Sequence, residues 1–249
     1  MRSGGSWFGL AALVGVQIAY PLVDGQPRAA LVIATVVLGF AVSVSHAALT
    51  RGVATAAGLV VVTAGGGWAV EAVGVATGFP FGGYAYGDAL GPTLLGVPLV
   101  IPLAWTWMAW PAWIAAGRLA SRRWPRVLLA GVALAAWDLF LDPQMVAEGY
   151  WRWDPPAAPA LPGVPGIPLT NYLGWLIVAV AMMAVLSAWV GAARADADDR
   201  PMLALYLWTY ASSVLAHAVF LDLPASAVWG GLGMGVVAVP LVVTLVRAR

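Results

Sequence analysis

The chain has 249 residues, of which 62% are hydrophobic and only 9% are charged, and its mean hydropathy is +0.88. About a quarter of the residues of a soluble globular domain are charged, so this chain has too little polar surface to fold in water. The 12 basic and 11 acidic residues leave a net charge of +1, which excludes nucleic-acid binding through a basic face. The composition therefore indicates an integral membrane protein.

Two residue types are missing, and their absence excludes several chemistries. None of the 12 cationic residues is Lys, which rules out a retinal Schiff base. Cys is absent, which rules out disulfides, thiolate metal sites and iron–sulfur clusters. The 2 His present are too few to build a di-iron site. We therefore expect no metal and no cofactor.

The spacing of charged residues predicts eight membrane-spanning helices, because a helix needs about 20 apolar residues to cross the hydrocarbon core. Uncharged stretches trimmed at Pro, Gly and polar clusters give helices over 6–23, 29–49, 53–77, 96–120, 125–148, 169–193, 201–221 and 225–247. We predict an all-α polytopic membrane protein with about eight transmembrane helices in one bundle, in which 1–249 forms a single integral membrane domain. The first helix lacks a clear small-residue cleavage site, so we expect it to be retained.

Arg is distributed unevenly between the two sides of this arrangement. Ten fall on one side: Arg2, Arg51, Arg118, Arg122, Arg123, Arg126, Arg194, Arg200, Arg247 and Arg249. Only Arg28 and Arg152 fall on the other, so the positive-inside rule predicts a multi-pass cell-membrane protein with both termini in the cytoplasm. Two long connections, 78–95 and 149–168, lie on the outer side, and compact loops of this length usually carry or cover a site.

Four ionisable side chains fall inside predicted helices: Glu71, Asp138, Asp142 and His217. A carboxylate near the bilayer centre costs about 2.5–3.5 kcal/mol, so each is a candidate functional group. A rise of about 1.5 Å per residue places all four in the outer half of the membrane, at the depth of Asn171. Asp138 and Asp142 are four residues apart and share a helix face at about 6 Å, where one of two buried carboxyls retains a proton. This arrangement supplies a general acid beside a general base.

The same residues also have structural explanations. The carboxyls could serve only to hold helices together through hydrogen bonds to Asn171 or His217. A lone His in a span is an interhelical hydrogen-bond donor as often as it is a catalytic residue. The interfacial aromatic belt explains Trp151 and Trp153. It does not explain the tryptophans at 105–113, which lie within a span and suit a wall along a polyene, where ring faces stabilise a carbocation.

A glycine-rich stretch in the last helix is explained by packing. Gly230, Gly231, Gly233 and Gly235 resemble a broken dinucleotide-binding loop, but no strand precedes them. We expect these glycines to allow close contact between helices.

Two blocks of sequence resemble a known family. The first runs from Glu71 to Trp107 and contains GFPFGGYAY at 78–86, LGP at 90–92, GVP at 96–98 and PLAW at 102–105. The second contains WD at 137–138, LDP at 141–143, GYWRW at 149–153 and IPLTNYLGW at 167–175. Together they resemble the carotenoid biosynthesis membrane proteins, typified by the carotenoid 1,2-hydratase that acts on bisanhydrobacterioruberin and related acyclic ends. The resemblance covers the middle of the chain and departs at Val164 and Pro165, where we expect an aromatic residue.

The resemblance implies addition of water across the terminal C1–C2 double bond of a linear C40 or C50 carotenoid. A neutral carboxylic acid protonates C2, the tertiary cation forms at C1, and a second carboxylate deprotonates the attacking water. We assign Asp138 or Asp142 as the acid, its partner or Glu71 as the base, and Asn171 and His217 as the groups that position water. The predicted substrate-binding residues are Tyr84, Tyr86, Trp105, Trp137, Asn171, Trp175 and His217. The expected partners are the linear carotenoid, membrane lipid and other carotenoid-pathway enzymes.

Two other functions compete with this interpretation. Asp138 and Asp142 form an Asp-x-x-x-Asp motif that could hold Mg²⁺ and a diphosphate, as in a membrane prenyltransferase of the lycopene elongase type. However, the second acidic run, 196–199, is predicted on the opposite side, and no Arg cluster lies near Asp142. The third function is a non-catalytic carrier of carotenoid or lipid, or a transporter in which the carboxyls relay protons, although we find no inverted repeat typical of transporters.

Overall fold

The computed structural model describes residues 3–154 and 159–248. Arg2 and Arg249, both in the predicted cytoplasmic set, lie outside the described residues, as do 155–158 of the second long loop. The described α-helices are α1 Ser3–Ala19, α2 Gln26–Arg51, α3 Val53–Val60, α4 Gly66–Thr77, α5 Ile101–Leu119, α6 Arg123–Ala135, α7 Asp138–Ala147, α8 Leu169–Trp189, α9 Arg200–Val219 and α10 Pro224–Arg247. Four short strands accompany them: β1 Tyr84–Tyr86, β2 Thr93–Leu94, β3 Val97–Pro98 and β4 Trp151–Trp153. The predicted all-α membrane architecture is confirmed.

Seven helical segments of the described chain are long and apolar enough to cross a membrane. They are Gly4–Leu22, Gln26–Arg51, Val53–Thr77, Arg123–Ala147, Leu169–Trp189, Arg200–Val219 and Pro224–Arg247. The one predicted span missing from this set is the fourth, 96–120, which corresponds to α5. This helix has 19 residues and extends about 28 Å, but its tryptophans and prolines lower its hydropathy. Every residue of α5 from Ala104 to Ala116 is buried, and α2, α6, α9 and α10 all pack on it. This helix is therefore the centre of the bundle, shielded from lipid.

The predicted start of the fourth helix, at residue 96, is wrong. Strands β2 and β3 form an antiparallel hairpin at this point. Its turn residues, Leu95 and Gly96, have φ values of 53° and 80°. Two-residue hairpin turns of this hand need positive φ at both positions, which Gly adopts without steric cost. The helix therefore begins only at Ile101.

Two predicted helices are not continuous α-helices. The third contains a π-helical turn at Val61–Gly65, between α3 and α4. The fifth is interrupted around Trp137, whose N–H bonds the carbonyl of Leu134, three residues earlier, at 3.2 Å. Asp138 is consequently the first residue of α7 rather than the interior of one long helix. Such irregular turns are frequent at functional sites.

Prolines within α5 and α7 leave two backbone carbonyls without their helical partners. Pro111 and Pro143 have no N–H to bond the carbonyl four residues earlier. Serines of neighbouring helices bond these carbonyls instead: Ser43 Oγ donates to Trp107 O at 2.9 Å, and Ser226 Oγ donates to Leu139 O at 2.7 Å. Because no water is available in the hydrocarbon core, the serines satisfy the two carbonyls and also join α2 to α5 and α10 to α7.

Two of the four glycines of α10, Gly230 and Gly233, lie against α7, which agrees with the predicted close contact between helices. A Cβ on Gly230 would lie 2.6 Å from the ring of Phe140, and one on Gly233 would lie 2.5 Å from Leu139 Cδ1. Since real Cβ atoms do not approach other atoms this closely, only Gly permits α10 to pack so near to α7.

The two long loops are joined by a small antiparallel sheet, which we call the cap. Strand β1 of the first loop pairs with β4 of the second, with Tyr84 opposite Trp153 and Tyr86 opposite Trp151. Alternate residues of a strand point to the same face, so these four aromatic side chains share one face of the cap.

Candidate active site

A small polar cavity lies beneath the cap, where α4, α5, α7 and α8 meet. We call it the carboxyl cavity. Its volume is about 40 Å³, which is enough for water and too small for an isoprenoid end without side-chain movement. Its lining residues are Glu71, Tyr84, Tyr86, Ile101, Ala104, Trp105, Leu134, Trp137, Asp138, Leu141, Asp142, Trp151, Trp153, Asn171 and Trp175.

Nine of the ten predicted site residues line this cavity, and His217 does not. The three carboxyl groups come from two helices, with Glu71 on α4 and both Asp138 and Asp142 on α7. All three are buried, with 3% to 6% of their surface exposed. The structure thus brings together the acids that sequence reasoning placed at one depth.

Glu71 is held by the first loop. Tyr84 Oη donates to Glu71 Oε2 at 2.5 Å, and Tyr86 Oη donates to the same oxygen at 2.7 Å. The two tyrosines are alternate residues of β1, which is why both hydroxyls reach one carboxyl group. Burial raises the pKa of both phenols, so they remain neutral donors near neutral pH.

Asp142 accepts a hydrogen bond from a side chain in the first turn of α8. Asn171, the third residue of α8, donates from Nδ2 to Asp142 Oδ2 at 2.6 Å. The other end of the same amide, Asn171 Oδ1, is buried and has no hydrogen-bond partner among the described residues. The amide therefore orients Asp142 and leaves an acceptor at the cavity.

Asp138 differs from the other two acids in its hydrogen bonding. Its Oδ2 atom is buried and has no partner within the described part of the chain. Because Asp138 and Asp142 are four residues apart on α7, a carboxyl with no donor lies beside one that is held by an amide.

Five indole rings form the apolar wall of the carboxyl cavity. Trp175 lies 4.2 Å from Trp105 between ring centroids, and it stacks on Phe81 at 3.9 Å. The prediction that Trp151 and Trp153 belong to an interfacial belt is wrong, because both are buried and line the cavity. Their spacing of two residues, typical of one face of a strand, was the available signal.

His217 lies on the far side of α7 from the carboxyl cavity. Its Nδ1 atom is 2.9 Å from Ser226 Oγ, and its Nε2 atom is 3.2 Å from Gln144 Oε1. Since Ser226 donates to Leu139, His217 Nδ1 is the donor to Ser226 Oγ. The hydrogen bonds from His217 to Ser226 and from Ser226 to the Leu139 carbonyl therefore join α9, α10 and α7. Nε2 of the neutral ring is then an acceptor, which requires the NH₂ end of the Gln144 amide as its donor.

A larger apolar cavity adjoins the carboxyl cavity, and we call it the apolar chamber. Its volume is about 420 Å³, and it lies between α1, α2, α5, α7 and α9. The two cavities share five lining residues: Ile101, Ala104, Trp137, Leu141 and Trp151. Sequence reasoning did not anticipate this chamber, because its wall is assembled from helices far apart along the chain.

The second acidic run lies far from Asp142. Asp199 accepts two hydrogen bonds from Arg51, at 2.6 and 2.7 Å, at the start of α9. His217, which contacts α7 through Gln144, lies 18 residues further along α9, or about 27 Å. Among the described residues, no group of three or more His, Asp or Glu is arranged to hold a metal ion.

Residues 31–245 match the family described as carotenoid biosynthesis protein. The chain belongs to the carotenoid biosynthesis protein family. It is also 35% identical over 115 residues to the bisanhydrobacterioruberin hydratase of Haloarcula japonica. That stretch is 44% of this chain and spans only 37% of the relative's length. No solved structure gives a significant match.

Proposed function

We propose that this member of the family is a carotenoid hydratase that adds water to the terminal C1–C2 double bond of a linear carotenoid in the carboxyl cavity. One observation carries the proposal. Three buried carboxyl groups meet under an indole wall; among the described residues, Asp138 Oδ2 has no donor, and Asp142 is held by an amide whose oxygen has no partner. The similarity to a protein named as a hydratase supports the reaction class.

The first step is protonation of the double bond. Asp138 is the general acid, because its buried Oδ2 accepts no hydrogen bond from the described residues, and such a carboxyl is least costly as the neutral acid. Its proton goes to C2, the π electron pair forms the new C–H bond, and C1 becomes a tertiary carbocation. The ring faces of Trp137, Trp105 and Trp175 stabilise this cation.

The second step is capture of the cation by water. A water oxygen bonds C1, and Asp142 accepts the proton that this water releases. Asn171 positions the water, because its Oδ1 accepts one water hydrogen while its Nδ2 holds Asp142. The product is a tertiary alcohol, and transfer of the proton from Asp142 to Asp138 restores the starting state.

Glu71 has a separate role in this mechanism. Two tyrosine hydroxyls satisfy one of its oxygens, so Glu71 is suited to provide negative charge near the cation rather than to exchange protons. Tyr84 and Tyr86 position this carboxyl group and join the cap to α4.

Expression in bacteria that accumulate lycopene or bisanhydrobacterioruberin tests the proposal. Mass spectrometry of the pigments should show the gain of one water per reacted end with the unchanged chain. Asp142→Asn should abolish the product, whereas Asp88→Asn, an exposed acid of the first loop, should not. Unchanged pigments in both hosts would contradict hydration and favour a carrier, and the addition of five-carbon units would establish a prenyltransferase.

The setting of the reaction is also part of the proposal. We propose a multi-pass protein of the cell membrane with both termini in the cytoplasm, based on the distribution of Arg. The cap and the carboxyl cavity then lie toward the outer surface. The partners in this account are the linear carotenoid, the surrounding lipid and the other enzymes of the carotenoid pathway.

A further inference from the structure

We infer that the apolar chamber binds the polyene chain of the substrate, and that the chain reaches it from the lipid through the seam between α1 and α9. This inference rests on the proposed function, which supplies the occupant. The observations that carry it are the size of the chamber, its shared wall with the carboxyl cavity and the position of its mouth.

The size of the chamber fits a long, narrow ligand. Its volume of about 420 Å³ lies in the range typical of ligand sites, whereas the carboxyl cavity has only about 40 Å³. Lining residues of α9 extend from Trp208 to Ala216, which corresponds to about 12 Å along the helix, and Phe220 and Leu221 continue the lining in the turn after it. The chamber therefore accommodates one part of a linear isoprenoid, and the rest of the chain extends into the bilayer.

The shared wall directs the end of such a chain toward the acids. Trp137 and Leu141 line both cavities, and each immediately precedes one of the α7 carboxyls in the sequence. Ala104 of α5 also belongs to the wall and has the smallest side chain in it. A chain lying in the chamber thus has to pass only apolar side chains to bring its terminal double bond to Asp138 and Asp142.

The mouth of the chamber faces the lipid. The exposed residues of its lining lie at the end of α1, on α9 or in the turn after either helix: Ile18, Leu22, Ala211, Leu215 and Phe220. Trp208 Nε1 donates to Gln17 Oε1 at 2.9 Å across the seam between these two helices. Because a carotenoid dissolves in the hydrocarbon core, a lateral opening spares it any passage through water.

Paired substitutions on α9 test the inference. Ala216→Phe places a ring in the chamber, and Ala218→Phe places the same ring on an exposed position that does not line it. Leu215→Trp at the mouth and Val219→Trp on the exposed surface form a second pair, in which each original side chain is at least 56% exposed and substitution is compatible with folding. Each protein is expressed in the hosts that make lycopene or bisanhydrobacterioruberin and purified in detergent.

Two quantities are measured: pigment bound per protein, and hydrated pigment in the cells. The two chamber variants should lose about tenfold in bound pigment and in hydration, which corresponds to about 1.4 kcal/mol, because the introduced ring takes up space that the polyene chain needs. The two surface controls should match the unchanged chain.

The outcomes separate this inference from the proposed function. If the chamber variants bind and hydrate carotenoid like their controls, the chamber inference is wrong and the hydratase proposal stands. If only the chamber variants lose pigment and no protein forms a hydrated product, the chamber is the binding site and the hydratase proposal is wrong. If no protein binds or converts pigment, both are wrong.

Discussion

The three buried carboxyls differ chiefly in which hydrogen bonds they accept. Tyr84 and Tyr86 bond Glu71, Asn171 bonds Asp142, and Asp138 accepts none from the described residues at Oδ2. The proposed roles of Glu71 as anion, Asp142 as base and Asp138 as acid rest on these differences. Depth along the helices predicted that the acids would meet, but it could not predict which donors they would find, because the donors come from loops and from another helix.

Removal of the Tyr84 and Tyr86 hydroxyls should leave the Glu71 carboxylate, the proposed anion near the carbocation, less well positioned. Each hydrogen bond to a charged group contributes about 1.5–3 kcal/mol, so Tyr84→Phe and Tyr86→Phe should each lower kcat by about ten- to a hundredfold with a smaller change in KM. Tyr150→Phe is the matched control, because this buried tyrosine of the second loop does not line the carboxyl cavity. A double Phe variant with undiminished kcat would show that the tyrosines have no role in the reaction.

At the scale of elements, irregular turns in two helices position the carboxyl groups of the candidate site. The break before α7 and the π-helical turn before α4 lie next to the segments that carry the carboxyls. Hydropathy and charge spacing located both spans but not their interruptions, because neither property reports local hydrogen-bond register. The pairing of β1 with β4 also escaped prediction, since short strands in separate loops have no hydropathy signal of their own.

The hydrogen bond from Ser226 to Leu139 should depend on Pro143. Ser226→Ala should lower the free energy of unfolding by about 1–2 kcal/mol, because the Leu139 carbonyl then lies buried without a donor. In a Pro143→Ala background the new N–H at position 143 can bond that carbonyl, so the same serine change should cost about 1 kcal/mol less. Denaturant unfolding in detergent measures this double-mutant cycle, with Ser213→Ala as a control. Equal costs in the two backgrounds would refute the compensation.

At the scale of the whole molecule, the other helices surround α5 and enclose two adjoining cavities. The carboxyl cavity lies beneath the cap, and the apolar chamber faces the lipid. The spacing of charged residues predicted the number of helices, and the constant rise per residue of a helix predicted that the acids share one depth. His217 shows what the rise per residue cannot predict. It has the predicted depth, yet it lies on the other side of α7, since depth does not define the direction in which a helix face points.

Membrane topology can be tested cleanly because the chain contains no Cys. Single Cys residues at Gly91 in the first loop and at Ala195 between α8 and α9 should react differently with a membrane-impermeant maleimide in intact cells. We expect labelling at 91 and none at 195 until the membrane is permeabilised. The reverse pattern would place the cap and the carboxyl cavity on the cytoplasmic side.

The most direct test of the central claim is isotope incorporation by the purified protein. Protein reconstituted in lipid with linear carotenoid in H₂¹⁸O should form an alcohol that carries the heavy oxygen, and in D₂O it should form one that carries deuterium at C2. Asp138→Asn and Asp142→Asn should each slow formation at least about a hundredfold, whereas Asp88→Asn should not. Product formed at the unchanged rate by both cavity variants would contradict the account, as would an alcohol oxygen that does not come from water.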